Sequence, residues 1–89
     1  MKQLKRKVQV KNSLGLHTRP ATLIVKLLQN SKSDVQFTHK KSTINAKSIL
    51  SILTLAAAKK SNITICVEGE DAEETMEKLV NAFDSQFGE

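Results

Sequence analysis

A histidine and an arginine lie two residues apart in the segment GLHTRPA, residues 15–21. A neutral imidazole has a nitrogen lone pair that can attack phosphorus, and a guanidinium donates charge-assisted hydrogen bonds to phosphate oxygens. Pro20 favours the first turn of a helix, and the free N–H groups and positive dipole at a helix N-terminus bind anions. We therefore predict phosphoryl chemistry here, with His17 as the nucleophile and Arg19 as the cation that contacts the phosphate.

The electrostatics expected around His17 suit a carrier of phosphoryl groups. The positive helix end and Arg19 disfavour protonation of the imidazole, which keeps its lone pair available, and they stabilise the anion once it is attached. Each dipole interaction of this kind contributes about 0.3 to 1 kcal/mol at an exposed site, so the group stays easy to release. The residues alone leave another interpretation open, since a histidine in front of a helix also occurs as a cap or as an ordinary surface residue.

Hydrophobic periodicity predicts the strands and helices that position this site. Alternating apolar residues predict strands at residues 4–10, 35–38, 43–45 and 62–69. Helical periodicity predicts one helix from Pro20, a second over residues 48–58 with Ser48 as its N-cap, and a third after Asp71. Asp71 and Glu74 have the spacing of a capping box for that last helix. The order β-α-β-β-α-β-α is typical of an α+β fold in which helices cover one face of an antiparallel sheet.

Length and composition predict one domain over residues 1–89 and exclude several classes of protein. No apolar run approaches the roughly 20 residues of a membrane span, so we expect a cytoplasmic protein. Cys66 is the only cysteine and is expected to be buried, with no disulfide and no metal site. We find no Gly-rich nucleotide loop, so we expect neither a cofactor nor a self-contained enzyme.

Basic and acidic residues are segregated along the chain. Residues 1–67 contain thirteen Lys and Arg against one acid, and residues 68–89 contain one Lys against eight acids, so the two parts have formal charges of +12 and −7. A basic surface of this kind suits acidic proteins, phosphates or nucleic acid. The alternative, which we favour for the scattered lysines, is that they only solvate ordinary surface positions. Nucleic acid is the weakest of these interpretations because three Phe and no Tyr or Trp leave little for base stacking.

The segment GLHTRPA resembles the phosphorylation-site motif of the histidine-containing phosphocarrier proteins (HPr) of the bacterial phosphoenolpyruvate-dependent sugar phosphotransferase system. Residues 45–50, NAKSIL, are similar to the second signature of that family, at the start of its short middle helix. The resemblance extends over nearly the whole chain and implies an open-faced β-sandwich of four antiparallel strands and three helices. It also implies that His17 is phosphorylated on Nδ1 by enzyme I, with phosphoenolpyruvate as the ultimate donor, and that the group passes to IIA domains.

The same resemblance implies a surface for these partners and a monomeric protein. Arg19 is expected to contact the phosphate, and the partner surface is expected to consist of Thr18, Lys26, Lys47, Ile49, Leu50 and Leu53. Leu50 and Leu53 as plain core residues remain the alternative. A nitrogen-branch relative, which uses the same histidine chemistry to regulate other proteins, is equally compatible with His17 and Arg19.

Ser48 aligns with the regulatory serine of the family, on which a kinase and phosphorylase act in some bacterial lineages. Its hydroxyl suits either that role or a plain helix cap. Two departures from the family concern turns, where Lys41 and Lys60 lie near positions that commonly hold glycine. His39, in a turn between polar residues, is expected to be exposed.

Overall fold

Four strands and three α-helices alternate in the computed structural model, which describes residues 2–89. The strands are β1 (Lys2–Gln9), β2 (Asp34–His39), β3 (Ser42–Asn45) and β4 (Asn62–Gly69). The helices are α1 (Thr18–Leu28), α2 (Ile49–Thr54) and α3 (Ala72–Asp84), followed by one 3₁₀ turn at Gln86–Gly88. The predicted order β-α-β-β-α-β-α is confirmed.

The strands form one antiparallel sheet in the order β1-β4-β2-β3. Strand β4 is central and pairs with both β1 and β2, so that Ile65 lies opposite Arg6 on one side and Phe37 on the other. Its fully buried residues Ile63, Ile65 and Val67 alternate with polar ones, which is the pattern of a sheet covered on one face. The predicted open-faced sandwich is therefore confirmed.

The hydrophobic core lies between this sheet and the three helices. Helix α3 packs on β1 and β4, and α1 packs against α2 and α3. The other face of β4 carries Thr64, Cys66 and Glu68 and is not covered by any helix of residues 2–89. Cys66 is consequently half-buried rather than buried, which corrects the expectation from sequence.

Helix α2 is shorter than predicted, because it ends at Thr54 instead of residue 58. Ala56 has a φ of 50°, outside the right-handed helical region, and the chain continues as a loop to β4. In this loop the Ala57 carbonyl accepts a hydrogen bond from the Leu16 amide at 2.9 Å, and Lys60 N–H donates to the Val10 carbonyl at 2.7 Å. These contacts with the segment before α1 replace the last helical turn that an alanine-rich sequence would favour.

Asp71 precedes α3 as predicted, but the capping box is wrong. Its side chain makes no hydrogen bond to the helix; it accepts instead from the Ser33 hydroxyl at 2.5 Å and the Lys32 amide at 3.0 Å. The Ser33 hydrogen bond is the largest of the interactions that lower the pKa of Asp71 to about 2. Asp71 thus joins the start of α3 to the loop between α1 and β2.

Two lysines adopt left-handed backbone conformations in turns where the family commonly has glycine. Lys60 has a φ of 75°, and in the turn between β2 and β3 Lys40, rather than Lys41, has a φ of 56°. A non-glycine residue in this region is disfavoured by roughly 1 kcal/mol or more. The turns therefore keep a conformation that favours glycine even though glycine is absent.

Some of the basic residues near the start of the chain face the acidic last helix. Lys2 pairs with Glu73, and Lys11 Nζ lies 3.5 Å from Asp84. Both pairs are exposed, so solvent screening leaves them little effect on stability. They nevertheless show that the segregated charges partly meet each other within the fold instead of all facing a partner.

Candidate phosphorylation site

His17 is the N-cap residue of α1, with the extended backbone angles φ −82° and ψ −169° that a cap requires. Gly15, two residues earlier, has a φ of 68° and turns the chain toward the helix. Leu16 is buried in the core and its amide is bonded to Ala57, so the backbone before His17 is held on both sides. The imidazole itself remains about a third exposed, with 32% of its side-chain surface accessible.

The first turn of α1 offers free N–H groups beside the ring. The Ala21 amide donates to the His17 carbonyl at 3.1 Å, and Pro20 has no N–H. Within residues 2–89 the amides of Thr18 and Arg19 have no acceptor, and both residues are exposed. These two amides and the helix dipole are the features on which the predicted anion-binding site depends.

A carboxylate that sequence reasoning did not include lies against the ring. Nε2 of His17 is 2.9 Å from Oε2 and 3.1 Å from Oε1 of Glu89, 72 residues later in the chain. Because an ionised carboxylate only accepts hydrogen bonds, Nε2 must carry the proton in this contact. In the neutral ring the lone pair therefore lies on Nδ1.

The hydrogen bond to His17 is also the main reason that the pKa of Glu89 is lowered. A further hydrogen bond comes from Asn12, and the positive charge of Arg19 acts in the same direction. Glu89 is therefore held as an anion next to the helix end. The surroundings of His17 are not purely positive, as the sequence-based argument assumed, but combine a cationic helix end with one anionic side chain.

Comparison with known proteins identifies the family of this chain. Residues 4–85 match the model of the PTS-HPr family, described as "PTS HPr component phosphorylation site". The chain belongs to this family. The chain is therefore a phosphocarrier of the phosphotransferase system.

Relatives of the HPr family match most of the chain. The phosphocarrier protein HPr of Chlamydia pneumoniae is 45% identical over 80 residues, covering 90% of this chain and 74% of that protein. The crystal structure of HPr-C-His from Thermoanaerobacter tengcongensis has a TM-score of 0.90 and 35% identity, and covers 100% of this chain and 98% of its own. A structure described as an HPr dimer from the same organism has a TM-score of 0.78 and 35% identity, covering 92% and 94%.

Ser48 is the N-cap of α2, as predicted. Its hydroxyl accepts a hydrogen bond from the Ser51 amide at 3.3 Å, and the Ile52 amide donates to its carbonyl at 3.1 Å. The residue is half-buried. It occupies the start of the short middle helix of the HPr fold, where an added phosphate would meet the positive end of that helix.

The apolar residues of α2 divide into two groups. Ile52 is fully buried and Ile49 and Leu53 pack partly against the core, whereas Leu50 is 76% exposed. A large side chain with that exposure contributes little to the core, so the core interpretation of Leu50 is wrong. Leu23 in α1 is also exposed, at 37%.

The two lysines expected at the partner surface lie at the other end of α1 from His17. Lys47 Nζ donates to the Ser31 carbonyl at 3.0 Å, and Lys26 lines a groove that also includes Ser31. Lys26 is nine residues after His17, which is roughly 13 Å along a helix. The structure therefore does not bring these lysines next to the imidazole, although both are exposed.

The remaining expectations concern residues outside the site. His39 is half-buried rather than exposed, and its Nδ1 lies 3.3 Å from the Leu55 carbonyl oxygen. Among residues 2–89 there is no group of three or more His, Cys, Asp or Glu side chains arranged to hold a metal ion. In the same part of the chain no helix has the length and apolar character needed to cross a bilayer.

Sequence reasoning missed two residues that contact the site, Asn12 and Glu89. Asn12 is buried and donates to Glu89, and Glu89 contacts the ring of His17. Neither residue belongs to a motif, and the two lie 77 residues apart in the sequence. Only the folded chain could reveal this pairing.

Proposed function

We propose that this chain accepts a phosphoryl group on Nδ1 of His17 from phosphorylated enzyme I, which takes it from phosphoenolpyruvate, and passes it to IIA domains. The observation that carries the proposal is the contact of Nε2 of His17 with the Glu89 carboxylate at 2.9 Å. This contact leaves the Nδ1 lone pair free at a helix N-terminus that binds anions. The membership of the chain in the HPr family supports the same direction of transfer.

Transfer starts with attack of the Nδ1 lone pair on the phosphorus of the phosphohistidine of the donor. A P–N bond forms at Nδ1 as the P–N bond of the donor breaks, and the electron pair of that bond returns to the nitrogen of the donor. The ring of His17 then carries a positive charge with its proton on Nε2, which the adjacent Glu89 carboxylate stabilises. The phosphoryl oxygens accept hydrogen bonds from the amides of Thr18 and Arg19 and from the Arg19 guanidinium.

The test is the intact mass of the protein after incubation with phosphoenolpyruvate and a generic enzyme I. We expect an acid-labile gain of one phosphate in the wild type and no gain in His17→Ala. His39→Ala is the matched control, because it removes the other histidine of the chain and should leave the gain intact. No gain in the wild type, with a known HPr active in parallel, would reject the proposal.

The acceptor is tested in the same way, by adding purified IIA domains to the phosphorylated protein. Loss of the acid-labile phosphate from this chain and its appearance on a sugar-specific IIA domain supports the sugar branch. Transfer only to a nitrogen-branch IIA protein would instead assign the chain to the regulatory branch. In this scheme the protein is a phosphorylated co-substrate, and the partners catalyse each step.

We also propose Ser48 as a regulatory phosphorylation site for a serine kinase and phosphorylase. A phosphate on Ser48 would add roughly −2 charges at the start of α2, beside the exposed Leu50. This charge would weaken docking to enzyme I. Ser48→Glu should therefore slow phosphorylation of His17, and an unchanged rate would count against this regulatory role.

A single copy of the chain contains every residue proposed for the chemistry. His17, Arg19 and Glu89 come together within one protomer. We propose that the cytoplasmic carrier acts as a monomer, and sedimentation at working concentration tests this directly. A monomer that is phosphorylated at this concentration supports the proposal, and a dimer at the concentration at which transfer occurs would contradict it.

A further inference from the structure

Asn12 is a buried polar residue in the loop between β1 and the site, and the proposed chemistry does not yet use it. Only 1% of its surface is accessible. Its side-chain Nδ2 donates to the Gly15 carbonyl at 2.6 Å and to Oε1 of Glu89 at 2.9 Å. The amide therefore contacts both the backbone before His17 and the carboxylate beside the ring of His17.

The orientation of this amide follows from its partners. The Gly15 carbonyl and the Glu89 carboxylate can only accept hydrogen bonds, so the NH₂ group must face them. The oxygen Oδ1 then points away, where it is buried and has no hydrogen-bond partner among residues 2–89. A buried carbonyl oxygen without a partner is unfavourable, and an apolar side chain of similar size would avoid that loss. The contribution of Asn12 thus lies in its two N–H groups rather than in filling the core.

Both N–H groups act on the geometry of His17. The oxygen Oε1 of Glu89 that accepts from Asn12 also lies 3.1 Å from Nε2 of His17, so one carboxylate oxygen is shared between the two side chains. The second bond holds the carbonyl of Gly15, two residues before the ring. Asn12 is one of the interactions that lower the pKa of Glu89, after the larger contribution of His17.

We propose that Asn12 is a positioning residue, which holds the Glu89 carboxylate against Nε2 of His17 and so keeps Nδ1 as the free nitrogen for phosphoryl transfer. The effect on phosphoryl transfer rests on the proposed function, whereas the positioning of Glu89 against His17 does not depend on it. Asn12 does not touch the phosphoryl group. It acts through Glu89, as residues that orient a catalytic histidine generally do.

A first test needs only the wild-type protein. In protein labelled with ¹³C and ¹⁵N, the pH is lowered in steps. At each pH, NMR records the side-chain NH₂ resonances of Asn12 and the carboxyl carbon resonance of Glu89. If the two groups are hydrogen-bonded, the Asn12 resonances shift with pH and show the same titration midpoint as the Glu89 carboxyl group. Asn12 resonances that do not respond when Glu89 is protonated would overturn the proposal.

A second test uses variants and the ¹⁵N shifts of the imidazole, which report the population of each neutral tautomer. Asn12→Ala should lower the share of the Nε2–H tautomer of His17, raise the pKa of Glu89 and slow phosphoryl acceptance by about tenfold. In a Glu89→Ala background the same change should have no further effect on the tautomer. Equal effects in both backgrounds would assign Asn12 a purely structural role through Gly15 and would overturn the proposal.

The outcomes separate this inference from the proposed function. A wild type that gains no phosphate rejects the proposed function, while the tautomer shares and the Asn12 titration still decide whether Asn12 orients the site. A wild type that is phosphorylated, with an Asn12→Ala variant equal to it in rate and tautomer, rejects only the role of Asn12. If Asn12→Ala does not fold, the wild-type titration alone decides.

Discussion

Gly15 lies so close to Ala57 that no side chain fits between them. A Cβ atom added to Gly15 would stand 2.3 Å from the Ala57 carbonyl oxygen, and Gly15 also has a φ of 68°. The loop after α2 is thereby pressed against the turn that leads to His17. Two segments that are far apart in sequence together determine where the imidazole lies.

Gly15→Ala should therefore destabilise the protein and displace the site. We expect a loss of about 2 to 4 kcal/mol in the free energy of unfolding, from the positive φ and the clash with backbone atoms. Urea denaturation measures this loss. Gly88→Ala is the matched control, because Gly88 has a φ of 79° but open space around it, and it should lose only about 1 kcal/mol. Equal losses in the two variants would show that the contact with Ala57 is unimportant.

Asp71 should give the protein a specific loss of stability in acid. Its pKa is lowered from 3.8 to about 2, chiefly by the Ser33 hydroxyl, so the folded protein binds this proton less readily than the unfolded chain. The contribution of Asp71 is then fully present above the unfolded pKa of 3.8 and is lost as the pH falls toward 2. The melting temperature of the wild type should exceed that of Asp71→Asn above about pH 4, and the two should converge as the pH falls from about 4 to about 2.

The control for this experiment is a substitution at the other residue of the predicted capping box of α3. Among residues 2–89, Glu74, the other member of the predicted capping box, pairs only with the exposed Lys78, at 3.4 Å. Glu74→Gln should change the free energy of unfolding by less than about 0.5 kcal/mol. If Glu74→Gln lowered the free energy of unfolding more than Asp71→Asn at neutral pH, the result would indicate that the capping box does form.

Ser48 should contribute to stability as a helix cap, independently of any modification. Ser48→Ala removes the acceptor for the Ser51 amide and should lower the free energy of unfolding by about 1 kcal/mol. Ser48→Asp keeps an acceptor at the cap and should restore stability while slowing phosphorylation by enzyme I. The exposed Ser42→Ala serves as control, and a loss there as large as in Ser48→Ala would argue against the cap.

Leu50 should matter for partner binding but not for folding. With 76% of its surface exposed, Leu50→Lys should change the free energy of unfolding by less than about 0.5 kcal/mol. It should slow phosphoryl acceptance from enzyme I by about tenfold, as the loss of one apolar contact at an interface does. The neighbouring Ile52→Ala, at a fully buried position, should instead lower stability by about 2 to 5 kcal/mol. Steady-state kinetics at varied carrier concentration tests this prediction, and an unchanged KM for Leu50→Lys would contradict it.

Elements with strong local periodicity were predictable, and those shaped by contacts with other segments were not. Residues 62–69 were predicted as a strand and β4 occupies Asn62–Gly69, because alternation along a half-covered strand is a local property. The predicted second helix overran α2 by four residues. Its alanine-rich end favours a helix, but hydrogen bonds from Leu16 and to Val10 hold that segment as a loop.

The same distinction holds at the cap of α3 and at the partner surface. Asp71 and Glu74 have the spacing of a capping box, yet the hydroxyl of Ser33 and the amide of Lys32 compete successfully for the carboxylate of Asp71. Along α2, the sequence left open whether Leu50 faced the core or a partner. That choice depends on how the helix packs against β3 and α1.

The sequence by itself determined that His17 and Arg19 lie at the start of a helix, because Pro20 and the periodic apolar residues after it mark a first helical turn, although α1 begins two residues earlier, at Thr18. That geometry is local, and neighbouring residues suffice to specify it. The resemblance implied Nδ1 as the reacting nitrogen, but only the tertiary structure showed the physical cause that leaves Nδ1 free, because the Glu89 carboxylate that bonds Nε2 is 72 residues away. The physical reason is that a hydrogen bond depends on distance in space, and the fold alone brings β1, α1 and the segment after α3 together.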